Sequence, residues 1–104
     1  MANSIIQDVI IFKNGDFING KILTKSFNIE TSYGQITIKR KEVGHIHISG
    51  TQFKQDVIET VERNRFRGVL QEETIDVKLK GGQELKIGKN EILTLMMLTN
   101  RLIR

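Results

Sequence analysis

The chain contains no cysteine, no proline and no tryptophan. Without cysteine there is no disulfide framework, no thiol nucleophile and no thiolate metal site. Without proline, strong chain punctuation falls to nine glycines, and no strand edge is protected by a missing N–H. No window approaches the ~18 continuous apolar residues of a membrane-spanning helix. The start of the chain, Met1 to Asp8, lacks the basic stretch and apolar core of a secretory leader. The expectation is a cytoplasmic protein with no membrane partner. One-sided charge is missing too. The 16 Lys+Arg and 12 Asp+Glu leave a formal +4, divided as 6 basic and 4 acidic residues before Gly50 and 10 and 8 after it. That even spread is unlike the basic tails of strong polyanion binders.

What is present is 104 residues, 38% hydrophobic and 27% charged, which reads as one globular domain. The chain also repeats itself. Asp8-Val9-Ile10 recurs as Asp56-Val57-Ile58, Gly20 as Gly68, and Gly34-Gln35 as Gly82-Gln83, all at a spacing of 48. One inserted residue shifts the register. Ile36 then matches Leu85, Ile38 matches Ile87, Glu42 matches Glu91, Val43 matches Ile92, and Ile46 matches Leu95. The expected organisation is an N-terminal lead (1–6), a first unit (7–49), a linker (50–54), a second unit (55–98) and a C-terminal tail (99–104).

Each unit reads as about five short antiparallel strands. Val9 to Phe12 is strand-like, and Asn14-Gly15 after it is a type I′ hairpin signal. Phe17 to Leu23 returns, with Gly20 marking a bulge or bend. Phe27 to Thr31 and Ile36 to Lys39 alternate with period two about a turn at Ser32 to Gln35, and Val43 to Ile48 closes the unit. In the second unit, Ile75 to Lys80 and Glu84 to Ile87 alternate around Gly81-Gly82. Phe53, Val57 and Val61, spaced by four, also allow a helix over 53–70. The repeat favours a hairpin there, turning at Glu62-Arg63-Asn64. A unit of ~45 residues buries too little apolar surface to be comfortable alone. The fold class expected is therefore all-β, with two tandem repeats forming a small bent barrel or sandwich.

The segment Ile11 to Leu23 has an apolar strand, a glycine turn, a second strand broken by glycine and then leucine. It resembles the first half of the Sm-like small-barrel motif. The resemblance implies a bent five-stranded barrel, ring-shaped oligomers and RNA bound at loops. Of the RNA-contacting Asp and Asn it implies after the second strand, only Asn28 has a counterpart in Thr24-Lys25-Ser26-Phe27-Asn28. Continued through Thr31-Ser32-Tyr33-Gly34, the run also resembles uncharacterised bacterial β-repeats, which imply no activity.

His45 and His47 flank Ile46, so on a strand both imidazoles share one face and would ligate zinc or copper given a third ligand. Arg63, Arg65 and Arg67 alternate with Asn64 and Phe66; on an extended strand their guanidinium groups line one face suited to phosphate oxygens, with Lys78 and Lys80 on a neighbouring strand. Phe66 or Tyr33 would stack a base. Glu59, Glu62, Glu72, Glu73 and Asp76 offset that field. Ser49 follows His47 without an orienting acid, and Gly88-Lys89-Asn90 lacks the Ser or Thr of a phosphate loop. Asp8/Asp56 and Glu42/Glu91 are repeat-related carboxylates, suited to accepting backbone N–H bonds at turns.

The run Ile92 to Leu98 is apolar on both faces, which marks Ile92, Leu95, Met96, Met97 and Leu98 as candidate interface residues. Together these features predict a non-enzymatic module without cofactor that self-associates as a homo-oligomeric scaffold or adaptor. The alternative is an Sm-like barrel binding RNA or single-stranded nucleic acid through Arg63, Arg65, Arg67, Lys78, Lys80 and Asn28.

Overall fold

Period-two alternation becomes strand wherever it occurs. A computed structural model describes residues 7–49 and 55–102. Among them are ten antiparallel strands: β1 (Asp8–Phe12), β2 (Phe17–Ile22), β3 (Ser26–Thr31), β4 (Gly34–Lys39), β5 (Val43–His47), β6 (Asp56–Thr60), β7 (Arg65–Leu70), β8 (Thr74–Leu79), β9 (Glu84–Gly88) and β10 (Ile92–Met96). A short helix, α1 (Leu98–Leu102), follows. The protein is all-β, and the 55–70 stretch is a hairpin, not a helix; Phe53, the 1–6 lead and the 50–54 linker lie outside the described residues. Of the expected tail (99–104), residues 99–102 belong to α1, where Asn100 Nδ2 donates to the Arg40 and Val43 carbonyls at 2.7 and 2.8 Å, and the rest lies outside the described residues.

All ten strands form one sheet, in the order β4-β3-β7-β6-β5-β10-β1-β2-β8-β9. Neither sequence unit keeps its strands together. β2 pairs with β8 rather than β3, and β3 pairs with β7. Each half of the sheet therefore draws strands from both sequence units: β4-β3-β7-β6-β5, the middle of the chain, on one side, and β10-β1-β2-β8-β9, its two ends, on the other. Exchanging each strand for the one five places along gives the same order read from the opposite end. The centre of that pattern is the β5–β10 ladder, where Ile46 faces Leu95.

The connections force the curl. β4 and β5 stand at opposite ends of one half, four strand spacings apart, or ~19 Å in a flat sheet. A single 3-10 turn, Arg40–Glu42, joins them, and its reach is ~14 Å at most. The half must bend so that its ends approach. Lys89–Glu91 imposes the same constraint between β9 and β10.

The concave side is the core. Its sixteen buried apolar residues, among those described, fall into eight pairs: Ile10/Ile58, Ile22/Leu70, Phe27/Ile75 and Ile29/Val77 at a spacing of 48, then Ile38/Ile87, Val43/Ile92, Ile46/Leu95 and Ile48/Met97 at 49. The other face of each strand is polar or half-buried.

Three turns share one geometry. Gly15 N donates to Phe12 O, Arg63 N to Thr60 O, and Gly82 N to Leu79 O, at 2.9–3.0 Å. The third loop position is left-handed in each: Gly15 at φ 97°, Arg63 at 73°, Gly82 at 97°. Asn14 has no positive φ, so the first turn is not type I′; it is a type I turn followed by a left-handed residue. Arg63 holds a conformation that costs an ordinary L-residue ~1 kcal/mol or more. Asparagine tolerates it better, so Arg63→Asn is expected to raise stability by about 0.5 kcal/mol. A lower melting temperature in that variant would contradict the turn geometry.

Of the bulge or bend expected at Gly20, no bulge is present: Gly20 is the last β2 residue paired with β1 and the first paired with β8, with no register shift in either ladder. It is a close approach. A Cβ there would lie 2.8 Å from the Lys78 carbonyl oxygen and 3.0 Å from Val77 Cγ1.

Candidate interaction surface

Strand alternation and two bulges decide which side chains reach the outer, convex face. Around the central ladder, His47 faces Thr94 and His45 faces Met96. Val9 faces Met96 and Ile11 faces Thr94 on the β1 side, while Val57 faces His47 and Glu59 faces His45 on the β6 side. Beyond these lie Phe17 and Asn19 on β2, and Arg65 and Arg67 on β7. One half of this face is thus apolar (Val9, Ile11, Phe17, Met96). The other carries His45, His47, Glu59, Arg65 and Arg67.

The histidines do share a face, as their spacing predicts. His45 Nε2 is 3.5 Å from Glu59 Oε1, which also holds Arg65 at 3.6 Å. His47 Nδ1 is 3.1 Å from Thr94 Oγ1. Among the described residues no group of three or more His, Cys, Asp or Glu side chains converges as a metal site would require.

The basic set does not form one patch. Arg65 and Arg67 are exposed on β7, and Arg63 sits in the turn before it. β7 has β3 and β6 as neighbours, whereas β8, bearing Lys78, lies beyond β2 in the other half. The expectation that Lys78 and Lys80 flank the arginines is therefore overturned by the strand exchange. Lys78 instead faces Lys21 across the β2–β8 pair. Asn28 is fully engaged: its backbone N and Nδ2 donate to the Glu72 carboxylate at 2.9 and 2.7 Å, and its Oδ1 accepts from Thr37 Oγ1. Phe66 is half-buried and packs against the core, while Tyr33 is exposed at the β3–β4 turn.

The candidate interface run needs the same correction. Ile92, Leu95 and Met97 are buried in the core, so they are unavailable to a partner. Leu93 is the extra residue of a bulge, since Thr94 pairs with Ile11 and Ile92 with Phe12. The bulge turns both Ile92 and Leu95 inward despite their odd spacing. Met96 stays half-buried on the outer face, and Leu98 opens α1. The exposed apolar side chains that the run-based reading passed over are Phe17 and Val69, 60% and 52% exposed. Their signal was the alternation of β2 and β7, which sets residues 17 and 69 on the face opposite Ile22 and Leu70.

The repeat-related aspartates are buried and bond backbone. Asp8 Oδ2 accepts from Ile22 N at 3.1 Å, and its Oδ1 accepts from the Thr99 hydroxyl at 3.0 Å. Asp56 accepts from Leu70 N at 2.8 Å and Ser49 N at 3.0 Å, with Lys89 Nζ 3.3 Å away. These carboxylates pin the end of each hairpin and are spent in doing so. An open cleft of about 510 Å³ at the β6–β7 turn is lined by Lys41, Glu42, Thr60, Val61, Glu62, Asn64 and Asn100.

Among the described residues, no helix is long and apolar enough to cross a membrane. Comparison with family models, with curated proteins and with solved structures returned no match.

Proposed function

We propose that the chain is a non-enzymatic assembly module, a homo-oligomeric scaffold or adaptor built on an internally duplicated β-unit. The observation that carries this reading is a ten-stranded sheet left open at both ends, with β4 and β9 each hydrogen-bonded to a single neighbouring strand. Unpaired strand edges are templates for another chain. Support for the duplication comes from the eight core pairs and from a strand order that maps onto itself. The bent five-stranded halves support the likeness to Sm-like barrels. The RNA contacts of that likeness draw no such support, because Asn28 is engaged by Glu72 and Thr37.

The test is light scattering after size exclusion over a range of concentrations. The expected mass is a multiple of the single chain. A strict monomer at the highest soluble concentration would remove the assembly reading.

A further inference from the structure

The two open edges occupy equivalent places in the fold but differ in chemistry. β9 reads Glu84-Leu85-Lys86-Ile87-Gly88 and turns Glu84 and Lys86 outward, with Lys86 Nζ 3.0 Å from Asp76 Oδ1. Charged side chains, lysine above all, are the usual protection of an edge strand. β4 reads Gly34-Gln35-Ile36-Thr37-Ile38-Lys39 and turns Gln35, Thr37 and Lys39 outward, so its only charge is at its last residue. The central part of β4 is neutral and β-branched.

Self-pairing discriminates the two edges further. In an antiparallel pair, directly opposite residues share a face, so a strand that pairs with its own copy is centred on one residue. Centred on Lys86, β9 would set lysine against lysine, a destabilising arrangement; centred on Leu85 it would set Glu84 against Lys86, whose ammonium Asp76 already holds at 3.0 Å. Centred on Thr37, β4 sets Thr37 against Thr37, Gln35 against Lys39, and Ile36 against Ile38 on the core side. No like charges meet, and Thr–Thr and aliphatic pairs are favourable cross-strand neighbours. The exposed Tyr33 before the strand then lies toward the Arg40–Glu42 turn of the second copy.

Building on the assembly reading, we propose that the partner is a second copy of this chain, joined β4 to β4 about a two-fold axis at Thr37. The two curled sheets then continue into each other, and the charged β9 edges stay at the outer ends. Pairing through β4 closes after two copies, whereas β4-to-β9 joining is head-to-tail and gives a larger ring or an open filament.

Because the chain has no cysteine, one substitution reads out the register. Directly opposite Cβ atoms lie ~4.5–5.5 Å apart, close to disulfide range. Thr37→Cys is therefore expected to oxidise to a covalent dimer on a non-reducing gel, while Lys86→Cys, at the equivalent edge position, stays single-chain. Thr37→Lys is expected to lose the dimer at a concentration where the unsubstituted chain holds it, with its melting curve showing that it still folds. If the unsubstituted chain is dimeric but Thr37→Cys does not cross-link, or Lys86→Cys cross-links equally, the β4 seam is wrong and the assembly reading stands. If the unsubstituted chain is monomeric throughout, both fall.

Discussion

Gly68→Ala is expected to destabilise the fold by at least ~3 kcal/mol, lowering the melting temperature by roughly 15 °C for a domain of this size. The cause is a collision with backbone. A Cβ on Gly68 would overlap the carbonyl oxygen of Glu30 and press on Cα of Thr31, 3.1 Å away. A side chain could rotate aside, but a carbonyl inside a sheet cannot. Gly68 sits where β7 leaves β6 and meets β3, so this contact is what the strand exchange requires. Gly20→Ala meets the equivalent carbonyl of Lys78 at 2.8 Å and is expected to cost less. Gly88 has nothing within 4 Å of its added Cβ, so Gly88→Ala should be neutral or slightly stabilising through the unfolded chain. Thermal melts of the three variants check the order. Equal melting temperatures for Gly68→Ala and Gly88→Ala would contradict the close approach of β7 to β3.

The second large effect is expected at Asp56. Asp56→Ala strips the acceptor from two backbone N–H groups, Ser49 and Leu70, and removes the carboxylate beside Lys89. Each buried donor left without a partner costs ~1–3 kcal/mol, and Lys89 loses its counter-charge with its side chain only 20% exposed. A total near ~3 kcal/mol follows. Asp8 takes neutral donors, Ile22 N, the Thr99 hydroxyl and, at 3.5 Å, Thr99 N, where Asp56 also faces the Lys89 ammonium, so Asp8→Ala is expected to cost less than Asp56→Ala. Urea unfolding of the pair measures the difference; Asp56→Ala within a few tenths of a kcal/mol of the unsubstituted chain would deny the carboxylate its role.

How these residues were found shows what the sequence could carry. The spacing of 48, then 49, marks Gly20 and Gly68, Gly34 and Gly82, the two aspartates, and four of the eight buried pairs: Ile10/Ile58, Ile38/Ile87, Val43/Ile92 and Ile46/Leu95. The same regularity hid the pairing. β2 presents to β8 the pattern that it would present to β3, since Phe27 and Ile29 of β3 and Ile75 and Val77 of β8 are buried at matching positions. Nothing local distinguishes them, so Lys78 was expected beside the arginines and lies in the other half. Bulges were the second obscurity. Gly44 and Leu93 are the extra residues in β5 and β10, and a period-two reading cannot see which residue a ladder skips. That is why Ile92 to Leu98 reads as two-faced although Ile92, Leu95 and Met97 all point inward. The charge reading survived in a sharper form: the basic residues are divided between two halves of one sheet.

The order in which the strands are made matters for how this sheet can form. β1 and β2 are synthesised first, but their outer neighbours are β10 and β8, with Val9 facing Met96. β3 must wait for β7, which ends at Leu70. A ribosome making this chain therefore releases paired hairpins with unfilled sides for most of its length, and the centre of the molecule closes only with its last strand. Pairings this distant in sequence slow folding and leave strand edges exposed meanwhile. The β1–β2 hairpin waits for β10, which follows every other strand of the sheet in the chain.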